Sequence, residues 1–329
     1  MRPLTYSRAT GIGDAVALVA QSPAGAFLAG GTNEVDLIRA GVSLSEHLVD
    51  INELPLAEVD DLPDGGVRIG AIARMSDVAR TPGVVERYPA ISQALLLSAS
   101  EQLRNMASIG GNLRQRTRCP YLRDGISPCN KREPESGCAA LEGLNRSHAI
   151  LGTSEYCIAT HPSDLAVALV AFDAVVRTAG PSGERSIPID DFFLLPSDTP
   201  DLEHPLAHGE LIVGIDLPGA PIARHSTYLK LRDRQSYEFA LVSVAAALEV
   251  DDGVVVDVRL AWGGVGTKPW RARRAEAALV GGPADRDAFR RAAAVELEGA
   301  VVREHNAFKV ELALRATVRA LTQLLRGPA

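Results

Sequence analysis

"AFLAGGTNEVDLIRAG", residues 26–41, carries an apolar segment into two adjacent glycines and out again into helical spacing. "AFLAGG" reads as a short buried strand meeting a glycine turn. Thr32 or Asn33 can cap a helix running from about Glu34 to Ala40, which Gly41 ends. Gly30 and Gly31 let the backbone approach a ligand closely, and the amides around Thr32 and Asn33 lie at the positive end of that helix, where a pyrophosphate binds well. A plain strand-to-helix connection has the same appearance, so both readings stay open on this stretch alone.

A second glycine pair, "SIGGN" at 108–112, again stands between regular elements. Two such loops offer two clamps for one long anion, or two unrelated turns. Before the second pair, residues 13–22 show helical spacing, "EHLVDIN" and "GVRIGAIA" read as strands, and "MSDVARTP" reads as a short helix capped by Ser76. "YPAISQALLLSASEQLRNMAS" reads as one longer helix. Beyond residue 162 come an apolar helix to about Phe172 and the strands "AVVRTA" and "ELIVGIDLP". Past a boundary near 219–225 follow two strong strands, "FALVSVAAALEV" and "GVVVDVRLAWGG", and then Ala/Arg/Glu-rich helices. At 329 residues the chain is long enough for two domains, or for one large domain with a satellite.

Apolar residues make up 46% of the 329 residues and charged residues 23%, which permits a well-buried core and argues against disorder. A net charge of −7 argues against non-specific nucleic-acid binding. "MRPLTYSRAT" lacks the apolar core of a signal peptide, and no apolar run reaches the roughly 18 residues of a membrane span. A soluble chain made in a reducing compartment, without disulfides, is expected.

The four cysteines, Cys119, Cys129, Cys138 and Cys157, all fall in one segment, spaced C-x9-C-x8-C-x18-C. No periodicity survives between Gly110 and about Thr153, and a long irregular loop in a compact domain is functional or disordered. Buried structural cysteines scatter through a core and do not gather in a polar loop. Four thiolates suit zinc or an iron–sulfur cluster. Zinc sites carry tight C-x2-4-C pairs, which are missing, so the wide spacing favours a larger object, with zinc still open. Arg114, Arg116, Arg118, Arg123, Lys131 and Arg132 would offset the negative charge of a tetrathiolate cluster.

Several other patterns are decoys. Gly11-Ile12-Gly13 has no strand before it, and Gly264-Val265-Gly266 meets Pro269 where an N–H donor would be needed. "HPSD" at 161–164 is too compact for a catalytic relay, and Ser163 or Asp164 reads as a helix cap. His204 and His208 have zinc-pair spacing, but Pro205 lies between them and no third ligand is in sight.

Taken together, "LAGGTNEVDLIRAG", "LVDINELP", "IGAIARMSDVA", "QLRNMASIGGNL", "THPSDLAVALVAFDAVV", "ELIVGIDLP" and "GGVGTKPWRARRAEAAL" resemble the FAD-binding subunit of the xanthine dehydrogenase/aldehyde oxidase family of molybdenum hydroxylases. The cysteine segment is similar to the version in bacterial periplasmic aldehyde oxidoreductases, whose four cysteines hold a [4Fe-4S] cluster.

That resemblance implies an α+β fold: a two-part FAD-binding domain of the vanillyl-alcohol-oxidase/PCMH type over 1–220, with a [4Fe-4S] insertion at about 114–157. A CO dehydrogenase flavoprotein-type C-terminal domain over 221–329 would follow, with a three-stranded sheet and helices. It assigns Ala29, Gly30, Gly31, Thr32, Asn33 and Glu34 to the FAD pyrophosphate, with Phe27 and Leu28 leading in. Ser108, Gly111 and Asn112 fall to a second flavin loop, and Asp164 to a polar contact with the cofactor. Ile212 falls to a backbone contact near the flavin ring and Lys230 to an approach to that ring. Cys119, Cys129, Cys138 and Cys157 fall to the cluster, and no catalytic residue is assigned.

The implied role is electron transfer through FAD to an external acceptor, beside a molybdopterin-binding large subunit and a small [2Fe-2S] subunit in a heterotrimer or its dimer. The substrate implied is an aldehyde. A 4-hydroxybenzoyl-CoA-reductase-like or xanthine dehydrogenase-like subunit is the alternative, and a zinc-stabilised binding protein is a reading of another class. Location is expected to be cytoplasmic as encoded, with export of the assembled complex to the periplasm where the small subunit has a twin-arginine leader.

Overall fold

The computed structural model describes residues 3–326. Its first element is a small parallel sheet in the order Thr5–Arg8, His47–Asp50, Gly25–Leu28, with helix Ile12–Ala20 as the crossover. Parallel neighbours need such a crossover, and Ala15, Val16 and Val19 supply its buried face. The second layer is a five-stranded antiparallel sheet in the order Val59–Asp61, Val67–Gly70, Leu211–Leu217, Val175–Gly180, Gly183–Pro188.

Helix Asp164–Ala171 is buried along its whole length, as an all-apolar helix must be. It is capped by Ser163, whose hydroxyl accepts from the Ala166 amide at 3.0 Å. "HPSD" is therefore a helix start, as its spacing predicts. The C-terminal sheet has four strands and not the expected three, because the short pair Trp270–Arg271 adds an edge to Val254–Gly263, Val242–Asp251 and Ser226–Leu231. Helices Arg273–Leu279, Arg286–Leu297 and Phe308–Leu325 cover it.

The chain passes from one half to the other through a 3-10 turn at Pro221–Arg224, yet the cores are not separate. Tyr228, Ala245, Ala247 and Ala261 of the second half pack in the cluster built on Val67, Ile69 and Leu165.

Three local expectations are corrected. The stretch 88–108 is two helices, Pro89–Leu97 and Glu101–Met106, broken at Ser98–Ser100, where Ala99 takes a φ of 47°. The break is held by tertiary bonds: Ser98 donates to Asp164 Oδ2 at 3.1 Å, and Ser100 caps the second helix. "IGGN", expected to be loop, lies in a further short helix, Ile109–Leu113, capped by Ser108. Ser76 lies inside helix Met75–Val78, whose N-cap is Arg74.

Candidate functional site

Two clefts meet at the first glycine loop. One, of about 590 Å³, is lined by Phe27 through Glu34, Ser108, Gly111 and Ile212, with Arg114, Glu203 and His204 on its far wall. The other, of about 500 Å³, is lined by Met75, Asn112, Asp164 and Lys230. Thr32, Asn33 and Gly111 line both, so the loops form the waist of one long groove. Each half falls in the size range of a small-molecule site.

All fourteen residues that the sequence assigns to a cofactor line one half or the other, but Ile212 and Lys230 line different halves. The resemblance placed both near a single flavin ring.

The two glycine loops are built differently. In the first, among the described residues, no protein acceptor faces the amides of Thr32 and Asn33, and the N-cap Asn33 makes no side-chain cap. Its Oδ1 instead accepts from Arg118 at 3.3 Å. Gly31 sits at φ +70°, which a β-carbon disfavours. A β-carbon on Gly30 would come 1.8 Å from the Met106 carbonyl oxygen, so this glycine is required by close packing of the first loop on the chain leading into the second.

In the second loop the amides are taken. Gly110 donates to Ala71 O at 2.7 Å, Gly111 to Ser108 Oγ at 3.2 Å, and Asn112 to Ser108 O at 2.9 Å. The expected second clamp has no free N–H at those positions.

Glu34 turns away from the groove's centre, accepting from the Ser43 and Ser45 hydroxyls at 2.6 and 2.7 Å. Asp164 and Lys230 form a buried ion pair at 2.7 Å, with side chains 5% and 1% exposed. Tyr228 donates to Asp164 Oδ1 at 2.8 Å, and Lys230 also donates to Leu97 O at 3.1 Å. Burial, followed by the charge of Asp164, pushes the Tyr228 phenol well up, so it stays protonated as a donor.

Cys119, Cys129, Cys138 and Cys157 all line a third, very small cavity of about 10 Å³, with Tyr121, Tyr156 and Lys131 in its wall. All four are free thiols, and Cys129 and Cys138 face each other in an antiparallel bridge. Among the described residues no three His, Cys, Asp or Glu converge closely enough to hold one ion. The four cysteines thus share one small cavity without closing on a single point. Burial raises the Cys119 thiol to about 12 and the Cys157 thiol to about 11, Lys131 offsetting part of the latter. Sulfurs this hard to ionise become thiolates when a metal takes the proton's place.

The basic residues of this segment do other work than screening a cluster. Arg116 and Lys131 both pair with Glu203 at 2.9 Å, Arg123 pairs with Asp36 at 2.6 Å, and Arg132 donates to the Tyr121 and Leu122 carbonyls. Burial would raise the Glu203 carboxyl, but Lys131 and Arg116 outweigh it and bring it down to about 2. Of the six basic residues only Lys131 lines the thiol cavity. Arg116 and Arg123 tie the segment to Glu203 and Asp36 outside it, and Arg132 ties it to its own carbonyls.

Side-chain bonds also tie the segment to the C-terminal half. Asn145 Oδ1 accepts from the His305 amide, Asn306 donates to Ala149 O, and Lys309 donates to Ser147 O. His204 and His208 are not a metal pair: His208 Nε2 lies 2.9 Å from Val19 O, and the His204 ring stacks on Phe192. Sequence reading missed Arg114, Glu203 and His204 as groove residues. The signal available was the row of basic residues directly after the second glycine loop.

A family model described as the FAD binding domain in molybdopterin dehydrogenase matches residues 2–220. The chain belongs to this family. A model for the CO dehydrogenase flavoprotein C-terminal domain matches residues 227–324. Over 280 residues the chain is 49% identical to the aldehyde oxidoreductase FAD-binding subunit of Escherichia coli (strain K12), covering 85% of this chain and 86% of the relative. It is 26% identical to the glyceraldehyde dehydrogenase medium chain of Sulfolobus acidocaldarius, covering 84% and 81%. Among solved structures, a carbon monoxide dehydrogenase chain from Hydrogenophaga pseudoflava superposes with a TM-score of 0.77 at 25% identity, over 100% of this chain and 99% of that one.

The expected family and α+β fold are thus found: this is an FAD-binding flavoprotein subunit of a molybdenum hydroxylase, an oxidoreductase. The described residues contain no helix long and apolar enough to cross a membrane.

Proposed function

We propose that this chain is the FAD- and [4Fe-4S]-binding electron-transfer subunit of a molybdenum-dependent aldehyde oxidoreductase. The observation that carries the reading is the meeting of four free thiols around one cavity, in a segment whose Arg116 and Lys131 also wall the groove. The aldehyde assignment rests on the 49% identity to an aldehyde oxidoreductase subunit. Cys119, Cys129, Cys138 and Cys157 would hold the cluster, and the free amides of Thr32 and Asn33 fit a pyrophosphate at the waist.

When bound, FAD supplies two-electron redox chemistry and the cluster one-electron chemistry. The protein's part is to hold and orient. A buried cation and a phenol donor, Lys230 and Tyr228, fit the polar edge of a flavin ring, whose electronics respond to nearby charge. The ring therefore belongs in the half lined by Asp164 and Lys230, and the adenosine in the half lined by Phe27 and Ile212. This revises the placing of Ile212 near the ring. Asp164 acts by fixing Lys230 and Tyr228, with one lone pair on Oδ1 left for the ligand.

Substrate oxidation belongs to a molybdopterin-binding large subunit, with a [2Fe-2S] small subunit between, in a heterotrimer or its dimer. The test is composition and dependence. Anaerobically purified chain should hold about four irons and one FAD. It should oxidise no aldehyde alone, and should do so with its partners. Stoichiometric zinc in place of iron overturns the cluster, and aldehyde turnover by the isolated chain overturns the subunit reading.

A further inference from the structure

Arg114 is the C-cap residue of the short helix that begins at Ser108, three positions beyond Gly111. Its side chain lines the larger half of the groove, the half that also holds the first glycine loop. Three basic side chains of the cysteine segment, Arg114, Arg116 and Lys131, line that half. Arg116 and Lys131 are held by Glu203. The Arg114 side chain makes no hydrogen bond or ion pair to any described residue, although Glu34 and Glu203 are near enough for it to feel their charge. Glu34 is committed to Ser43 and Ser45.

The residue is exposed by surface area because it opens onto the groove, yet protein surrounds it closely enough that burial lowers its affinity for the proton. It is a guanidinium in a walled cleft with five donors and no acceptor.

The second glycine loop has already given its amides to Ala71 and Ser108, so it cannot grip an anion through them. The cation that ends its helix can. We infer that Arg114 is a ligand to the diphosphate of FAD, completing from the far wall the clamp begun by the Thr32 and Asn33 amides. A guanidinium suits this task better than an ammonium because its fork matches two phosphate oxygens at once. The sequence feature that makes it possible is the arginine following "GGNL", at the point where the cysteine segment leaves the groove.

The test is reconstitution of the deflavinated full chain, followed by flavin fluorescence, with ADP and adenosine as competitors. The Arg114 side chain bonds to no described residue, so Arg114→Gln leaves the bond from its amide to Gly110 O in place. Loss of one charge-assisted contact should raise the Kd for FAD and for ADP by the same factor, about 10- to 100-fold, and leave adenosine within about twofold. Arg114→Lys should fall between, since it keeps the charge and loses the fork. A Kd for FAD unchanged in Arg114→Gln overturns the assignment. So does equal weakening of ADP and adenosine, which would place the contact on the nucleoside.

Discussion

Asp164→Ala is the substitution whose effect the structure changes most. Read from sequence, Asp164 offers one polar contact to a large ligand, and its loss would be mild. In the fold its carboxylate is, among the described residues, the only acidic partner of Lys230, a side chain 1% exposed, and it also accepts from Tyr228 and Ser98. After Asp164→Ala, Lys230 keeps, among the described residues, only the Leu97 carbonyl and is a buried cation without a counter-charge. Breaking a buried pair from one side costs about 3–5 kcal/mol, mostly the desolvation of the orphaned charge.

Removing both charges should cost much less, because an apolar pair of similar volume needs no compensation. The assay is urea unfolding of the flavin-free chain for wild type, Asp164→Ala, Lys230→Met and the double variant, at constant m-value. Asp164→Ala should lose about 3–5 kcal/mol, and the double variant should recover most of that. A loss below about 1 kcal/mol, or a double variant as unstable as Asp164→Ala, would refute the reasoning.

Gly30→Val should abolish FAD retention on gel filtration, because its side chain would drive the first loop off the Met106 carbonyl; unchanged flavin content would show that the loops do not form the waist of the site. Cys129→Ser should lose cluster iron while keeping its circular dichroism, since Asn145, Asn306 and Lys309 hold the segment independently; full iron with an unaltered spectrum would remove Cys129 from the ligand set.

Acid should destabilise the fold. Burial lowers His161 to about 3 and His204 to about 4 from an ordinary 6.5, and Glu203 is brought to about 2 from 4.5. Below pH about 6.5 the unfolded chain gains protons that the folded histidines refuse, and below about 4.5 the same holds for Glu203, so stability drops as pH falls. The urea midpoint should decline steadily from pH 7 to pH 4, and a flat profile would contradict these shifts.

What the sequence determined by itself is local. Strand, glycine pair and helix start are written into residues 26–41, where apolar spacing, absent β-carbons and a helix-ending glycine act within a few residues. The Ser163 cap and the gathering of four cysteines in one segment are legible for the same reason.

Tertiary structure decided what each of these groups faces. Side-chain pairing across long separations broke the helix at Ser98 and tied Asp164 to Lys230, 66 residues away. It set Ile212 and Lys230 in different halves of the groove and turned the basic residues of the cysteine segment onto Glu203 and Asp36. It also left the Arg114 side chain, which lines the larger half, without an acceptor among the described residues. Sequence spacing can specify a donor, but only the folded chain decides whether an acceptor reaches it, because that depends on which distant carbonyls and carboxylates packing brings within about 3 Å.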